Sequence, residues 1–230
     1  MKILALDTAT SACSVAVRID GETIAGALEP MTRGQSEVLM PMLMGVLDQA
    51  GMSVSDADLI AVTRGPGAFT GIRIGLAAAR GLALASGIPC CGVTTTQAIA
   101  AAAIDPKNPD RTILVALDSK RADIYVQVFD ASGPLMDQPR AVSLDDLPKL
   151  IDELGLVGRI DVVGDAQDRA RSVLKGEIIK STAPEIPDAR FVAGVAEQVV
   201  LSGAPMMDPS PLYLRPADAI VPKNWGRLRP

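Results

Sequence analysis

Lys2-Ile3-Leu4-Ala5-Leu6-Asp7 opens the chain, and Thr112-Ile113-Leu114-Val115-Ala116-Leu117-Asp118 repeats its character: an apolar run ending on an aspartate. Each is followed by a short polar turn and a second apolar run, Ser14-Val15-Ala16-Val17 in the first copy and Tyr125-Val126-Gln127-Val128-Phe129 in the second. Such runs, rich in β-branched and large apolar residues and bounded by turn residues, read as strands, and their recurrence reads as an internal duplication. In the first copy Asp20-Gly21 separates the second run from a third at Thr23–Leu28. Asp-Gly accepts the positive φ values of a tight hairpin turn, so a three-stranded antiparallel meander is expected. The polar segment Asp105–Asp110 carries two prolines and is the natural seam, giving a first lobe at 1–108 and a second at 109–230.

Outward from these strands the pattern predicts a helix at about Gln35–Ala50, kinked at Pro41, and a strand at Leu59–Thr63. A Gly-rich turn, a helix from about Thr70 to Ser86 and a short strand at Cys90–Val93 follow. The second lobe continues with a helix near Leu144–Leu154, a strand at Ile160–Gly164, an irregular stretch to about Asp188 and a helix at Arg190–Ser202. Pro209–Pro230 holds five prolines and Trp225, and reads as a docked, extended tail. Strands alternating with helices imply an α/β protein of mixed sheets with helical cover.

Composition narrows the chemistry. The 230 residues are 48% hydrophobic and 21% charged, as in ordinary folded proteins. No histidine is present, which removes Ser-His-Asp triads, Cys-His pairs and HExxH zinc sites together. Cys13 and the adjacent pair Cys90 and Cys91 match no zinc spacing or disulfide framework, read as small buried residues, and point with the lack of an export signal before Asp7 to the cytoplasm. The uncharged stretch Gly81–Ile104 is interrupted by turn and polar residues, so no membrane span is expected. A net charge of −5 disfavours binding nucleic acid by phosphate neutralisation unless a local patch departs from the total.

Two lobes that each open with strand, aspartate and hairpin suggest the ribonuclease H-like fold of actin, sugar kinases and Hsp70 chaperones. In that fold the hairpin turns clamp nucleotide phosphates and the aspartates help place a metal ion. Close approach of backbone amides to a phosphate requires glycine. Here the turns read Asp7-Thr8-Ala9-Thr10-Ser11 and Asp118-Ser119-Lys120-Arg121, without one. Either nucleotide is held weakly by Asp7, Thr8 and Thr10, or these residues only end hairpins. Arg64-Gly65-Pro66-Gly67-Ala68-Phe69-Thr70-Gly71-Ile72-Arg73-Ile74-Gly75 joins a strand to a helix through a turn in which Thr70 is a candidate N-cap. Gly65, Gly67, Thr70, Gly71 and Arg73 are candidate anion contacts, with a plain tight turn as the alternative. The segment is neither a Walker loop nor a dinucleotide fingerprint.

Gly71, Gly75, Ala79 and Ala83 form a ridge of small side chains on the second helix, and Leu39, Met42, Leu43 and Val46 lie on a first helix with almost no polar face. Five of nine methionines fall between Met31 and Met52. Adaptable Met-rich and small-residue surfaces suit a protein interface, and core packing is the alternative.

Ile3–Thr10, Ala12–Ala16, Arg64–Gly75 and Tyr213-Leu214-Arg215 together resemble members of the TsaB (YeaZ) family along essentially the whole chain. The resemblance implies a two-lobed actin-like protein that helps make threonylcarbamoyladenosine in tRNA. It would pair through its first-lobe helices with a catalytic paralogue, TsaD, with a small ATPase, TsaE, joining the assembly. Gln35 stands where relatives often carry histidine, and Ala68 where serine is frequent. On this reading tRNA is held only through the complex, ATP or ADP binds at most weakly to the isolated chain and more tightly at the partner junction, and a homodimer is open to the chain alone. Two classes remain: a non-catalytic activating subunit, or an independent enzyme, either a kinase-like ATPase or a peptidase. Turns without glycine and the lack of histidine favour the first.

Overall fold

The computed structural model describes residues 1–105 and 107–215. The N-terminal meander is β1 (Lys2–Asp7), β2 (Ala12–Ile19) and β3 (Glu22–Pro30), with Asp20 at φ 48° and Gly21 at φ 89° making the tight turn between β2 and β3. Then come α1 (Gln35–Gln49), β4 (Leu59–Thr63), α2 (Phe69–Ser86), β5 (Cys90–Val93) and α3 (Thr95–Ala103). The second half contains β6 (Thr112–Asp118), β7 (Ile124–Asp130), β8 (Gly133–Pro134), β9 (Arg140–Val142), α4 (Leu147–Glu153), β10 (Ile160–Val163), α5 (Gln167–Arg171), β11 (Ile178–Lys180) and α6 (Ala189–Leu201).

The duplication is visible in the pairing. One sheet runs β3-β2-β1-β4-β5 and the other β11-β10-β6-β7-β8, with β9 also on β7. Leu4 pairs antiparallel with Val17 and parallel with Ile60, as Leu114 pairs with Val128 and Val162. The alternation of β1 sorts its side chains to two faces. Leu4 and Leu6 join Leu39, Leu43 and Val46 of α1 and Ile72, Leu76 and Ala79 of α2. Ile3 and Ala5 turn the other way, onto Val192, Ala193 and Ala196 of α6 and Ala98 of α3. Ile99 and Ala100 of α3 pack instead on Ile113, Val115 and Leu117 of β6. α3 and α6 therefore form a middle layer between the sheets, and α4 and α5 cover the far face of the second sheet. α6 is the last helix among the described residues but packs on the first sheet. Its buried Glu197 accepts from Arg18 Nε at 2.7 Å and from the Gly21 amide at 2.9 Å, and Ala189 N donates to Ser14 Oγ at 2.9 Å.

Several expectations change. α3 lies in a stretch given no helix above, although Thr94 and Gln97 form a reciprocal capping box at its start. The stretch read as irregular before Asp188 contains α5 and β11. Pro41, where a kink is expected, sits in the second turn of α1 and does not end the helix. Met207 bridges Gly92 at the edge of β5, so the tail docks as far as Arg215, while Trp225 lies outside the described residues. Cys13 and Cys91 are buried and Cys90 is half-buried, and burial pushes their thiols up to about 11, 12 and 11 respectively. No helix among the described residues is long and apolar enough to cross a membrane.

Candidate functional site

The β1–β2 turn and the β6–β7 turn face one cleft of 1170 Å³ between the lobes. Its first wall comprises Thr10 and Ser11, the approach to α1 at Arg33–Gln35, and the turn and first helical residues Gly67–Arg73. Asp118–Arg121, Tyr125 and Asp165 form the opposite wall, and Leu212–Arg215 of the tail closes one side. The turns belong in one site because both end the central, paired strands of their sheets.

The Gly-rich turn is shaped by the chain's own backbone. Ala68 N donates to Ala9 O at 2.7 Å, and Thr8 Oγ1 donates to Gly71 O at 2.7 Å. A Cβ on Gly67 would lie 2.1 Å from Ala9 O, and one on Gly71 2.1 Å from Thr8 O. The close approach that glycine permits is thus made by the β1–β2 turn. Gly65, at φ +107°, packs under the tail, where a Cβ would lie 2.9 Å from Ile72 Cδ1 and 3.1 Å from Leu212 O.

Of the candidate anion contacts, Thr10, Gly67, Thr70, Gly71 and Arg73 line the cleft. Asp7, Thr8 and Gly65 do not; all three are buried beneath it. Thr70 is not the N-cap either: α2 starts one residue earlier, and Ala68 occupies the cap without a side-chain hydrogen bond. Docking of Ala68 on Ala9 O fixes that start, leaving the Thr70 side chain exposed.

Asp7 is fully buried. Its Oδ1 accepts from Thr63 Oγ1 at 2.5 Å and from Ala9 N at 3.1 Å, and Oδ2 has no partner among the described residues. Desolvation pushes its carboxyl up to about 7 against these hydrogen bonds, with the charge of Asp188 adding to the rise. The second turn is arranged differently. Asp118 accepts from Lys120 Nζ at 2.9 Å, Lys120 N at 2.8 Å and Arg169 Nη1 at 3.0 Å. Burial acts to raise its carboxyl, but the Lys120 bonds and the two cations outweigh it and hold Asp118 below the usual range. Lys120 takes φ 59°, which folds its ammonium back between Asp118 and Asp165, whose Oδ2 is 3.9 Å away. Desolvation raises Asp165, although its Oδ1 accepts the Asp118 amide at 2.7 Å.

Sequence reasoning missed Arg33, Lys120, Arg121, Asp165 and Phe69 as cleft residues. Tyr213 and Arg215 entered only through a family motif. Arg73 Cζ lies 3.4 Å from the centroid of the Phe69 ring, and Tyr213 stacks on Phe69 with centroids 5.8 Å apart. Leu212 N donates to Arg64 O at 2.8 Å, and Arg215 pairs with Asp123 beyond the cleft. The tail therefore ties the Gly-rich turn to the second lobe. Among the described residues no carboxylate pairs with Arg33 or Arg73, unlike Lys120 and Arg215.

The interface candidates also divide. Leu39, Leu43, Val46, Gly75 and Ala79 are core residues, because the face of each helix that carries them meets the first sheet. Met42 and Ala83 are half-buried against that core. A Cβ on Gly75 would lie 2.7 Å from Thr8 Oγ1, so the small ridge serves the chain's own turn. The outward residues are Met40, Met44 and Leu84, at 42%, 61% and 87% exposure.

The family model for TsaD, tRNA N6-adenosine threonylcarbamoyltransferase, matches residues 29–204. The tRNA threonylcarbamoyladenosine biosynthesis protein TsaB of Escherichia coli is 42% identical over 125 residues, 54% of this chain and 53% of that protein. The chain thus spans about half the length of the curated relatives it matches. YeaZ from Pseudomonas aeruginosa is similar in structure with a TM-score of 0.78 at 25% identity, covering 93% of this chain and 99% of that one. The hexokinase of the ROK type from Thermus thermophilus, at TM-score 0.51 and 13% identity, shares the fold alone.

Proposed function

Since the chain belongs to the TsaD family of tRNA N6-adenosine threonylcarbamoyltransferases, we propose that it acts in tRNA threonylcarbamoyladenosine biosynthesis as a non-catalytic subunit that activates a catalytic paralogue of its own fold. The observation that carries this reading is the filled first turn. Where the fold offers glycine amides and an aspartate to a metal-bound nucleotide, the β1–β2 turn has no glycine, its Ala9 and Thr8 carbonyls are docked on Gly67 and Gly71 of the Gly-rich turn, and Asp7 is sealed below. In the second turn Lys120 and Arg169 neutralise Asp118 internally. On this reading neither aspartate positions a metal ion or takes a proton in the cleft.

The outward strip of α1 and α2 is the surface we assign to the paralogue, because Met40, Met44 and Leu84 offer adaptable apolar contact. A second copy of this chain would use the same strip when no paralogue is present. The small ATPase of the system joins the pair, tRNA is modified on the complex, and any ATP or ADP binds at the junction with the paralogue. Threonylcarbamoyladenosine formation in tRNA is measured with the chain alone, the paralogue alone and both. Product is expected at full rate only with both, and phosphate release from Mg-ATP by the isolated chain at background. Turnover of ATP by the isolated chain that Asp7→Ala abolishes would overturn the proposal in favour of an independent enzyme.

A further inference from the structure

The 27 carboxylates exceed the 22 cationic side chains, yet the cleft has the opposite balance. Among the described residues Arg33 and Arg73 line one wall, Lys120 and Arg121 the other, and Arg215 the tail side, against Asp118 and Asp165. Lys120 pairs with Asp118, but the cations outnumber the carboxylates even with that pair set aside, so the field left over is positive. Walls of low dielectric concentrate such a field inside a concave site. The Phe69–Tyr213 stack, two residues 55% and 48% exposed, supplies flat apolar surface beside Arg73. At 1170 Å³ the space exceeds the roughly 300–1,000 Å³ of ordinary small-molecule pockets.

We propose that this cleft is an RNA contact of the chain itself. Arg33 and Arg73 take backbone phosphates, and the exposed rings of Tyr213 and Phe69 take an unstacked base. A cationic groove with interleaved aromatic rings is the usual means of holding single-stranded or looped RNA, because phosphates pair with guanidinium groups while any base offers a π face. An acidic protein segment would use the arginines but has no need of the rings. The amides that begin α1 and α2 lack side-chain caps and open on the same wall, adding to the attraction for phosphate. Arg73 is held for the task by its ring contact, and no carboxylate among the described residues pairs with its fork of N–H donors. The inference rests on the proposed tRNA role only for the choice of probe.

A fluorescein-labelled RNA stem-loop is titrated by anisotropy with the chain alone and with its complex with the paralogue. An Arg33→Ala, Arg73→Ala double variant should bind about tenfold more weakly at low salt, and its salt slope should be shallower by about 1.4. Tyr213→Leu keeps apolar bulk on Phe69 but removes the exposed ring, and should weaken RNA by about fivefold or more while leaving oligoglutamate binding unchanged. Arg80→Ala, on an exposed residue of α2 outside the cleft, should change nothing. RNA binding by the double variant equal to that of the parent would refute the proposal. So would displacement of RNA by oligoglutamate or inorganic phosphate as readily as by unlabelled RNA, since this would assign the cleft to an acidic protein or a small anion. Complex formation with the paralogue, measured by mass on the same variants, separates the two ideas: pairing without RNA binding by the parent chain sinks the RNA contact and leaves the subunit role standing.

Discussion

Asp7→Asn isolates the energetic consequence of burying an aspartate at the end of β1. The substitution keeps the shape and the acceptor for Thr63 Oγ1 and Ala9 N, and places an amide where the unpartnered Oδ2 now sits. The carboxyl moves from 3.8 in the unfolded chain to about 7 in the folded one, chiefly because burial penalises its charged form. Folding therefore takes up a proton between these values. The contribution is fully present below 3.8 and is lost as the pH rises through about 7, a span worth about 4 kcal/mol. Asn titrates nowhere in this range, so the variant should gain on the parent by roughly 1.4 kcal/mol per pH unit between about pH 5 and about pH 7, and the difference should level off above. Carboxylates held low, such as Asp56 and Asp105, weaken both proteins alike in acid and cancel from the difference. Urea unfolding of both proteins across about pH 5–9 gives the comparison. A stability difference that stays flat with pH would mean that Asp7 ionises as if solvated, and the account of a sealed turn would fail.

Gly71→Ala should destabilise by about 3 kcal/mol or more by thermal unfolding, since the new Cβ meets the Thr8 carbonyl, which is fixed in the turn after β1; a change under about 0.5 kcal/mol would refute the interlock. Met44→Glu should fold normally by circular dichroism yet fail to co-elute with the paralogue, whereas Ala79→Glu should not fold, because it places a charge in the core; co-elution of folded Met44→Glu removes the outward strip from the interface. Arg18→Ala leaves the buried Glu197 carboxylate with only the Gly21 amide and should cost about 3 kcal/mol in urea unfolding, a loss that Glu197→Gln in the same chain should partly restore.

The sequence by itself determined the repeated strand-aspartate-hairpin units, the tight turn at Asp20-Gly21, the sites of β4, β5 and α2, and a special role for the glycines between Arg64 and Gly75. These are local properties: alternation, turn chemistry and the permissiveness of glycine are written within a few residues. The polar pairing of Thr94 with Gln97 is equally local, and marks the start of α3 by its cap where the apolar run carries no boundary. Only the tertiary structure decided what those glycines approach, because Gly71 meets Thr8 across 63 residues of sequence. The inward face of α1 was undecided for a related reason. Leu39 and Leu43 point to the core while Met40 and Met44 point out, and a helix apolar on all sides carries no period that tells them apart. The cationic cleft was the least legible part of the chain. Arg33, Arg73, Lys120 and Arg215 are scattered through an acidic sequence, and folding against two sheets gathers them on one concave surface.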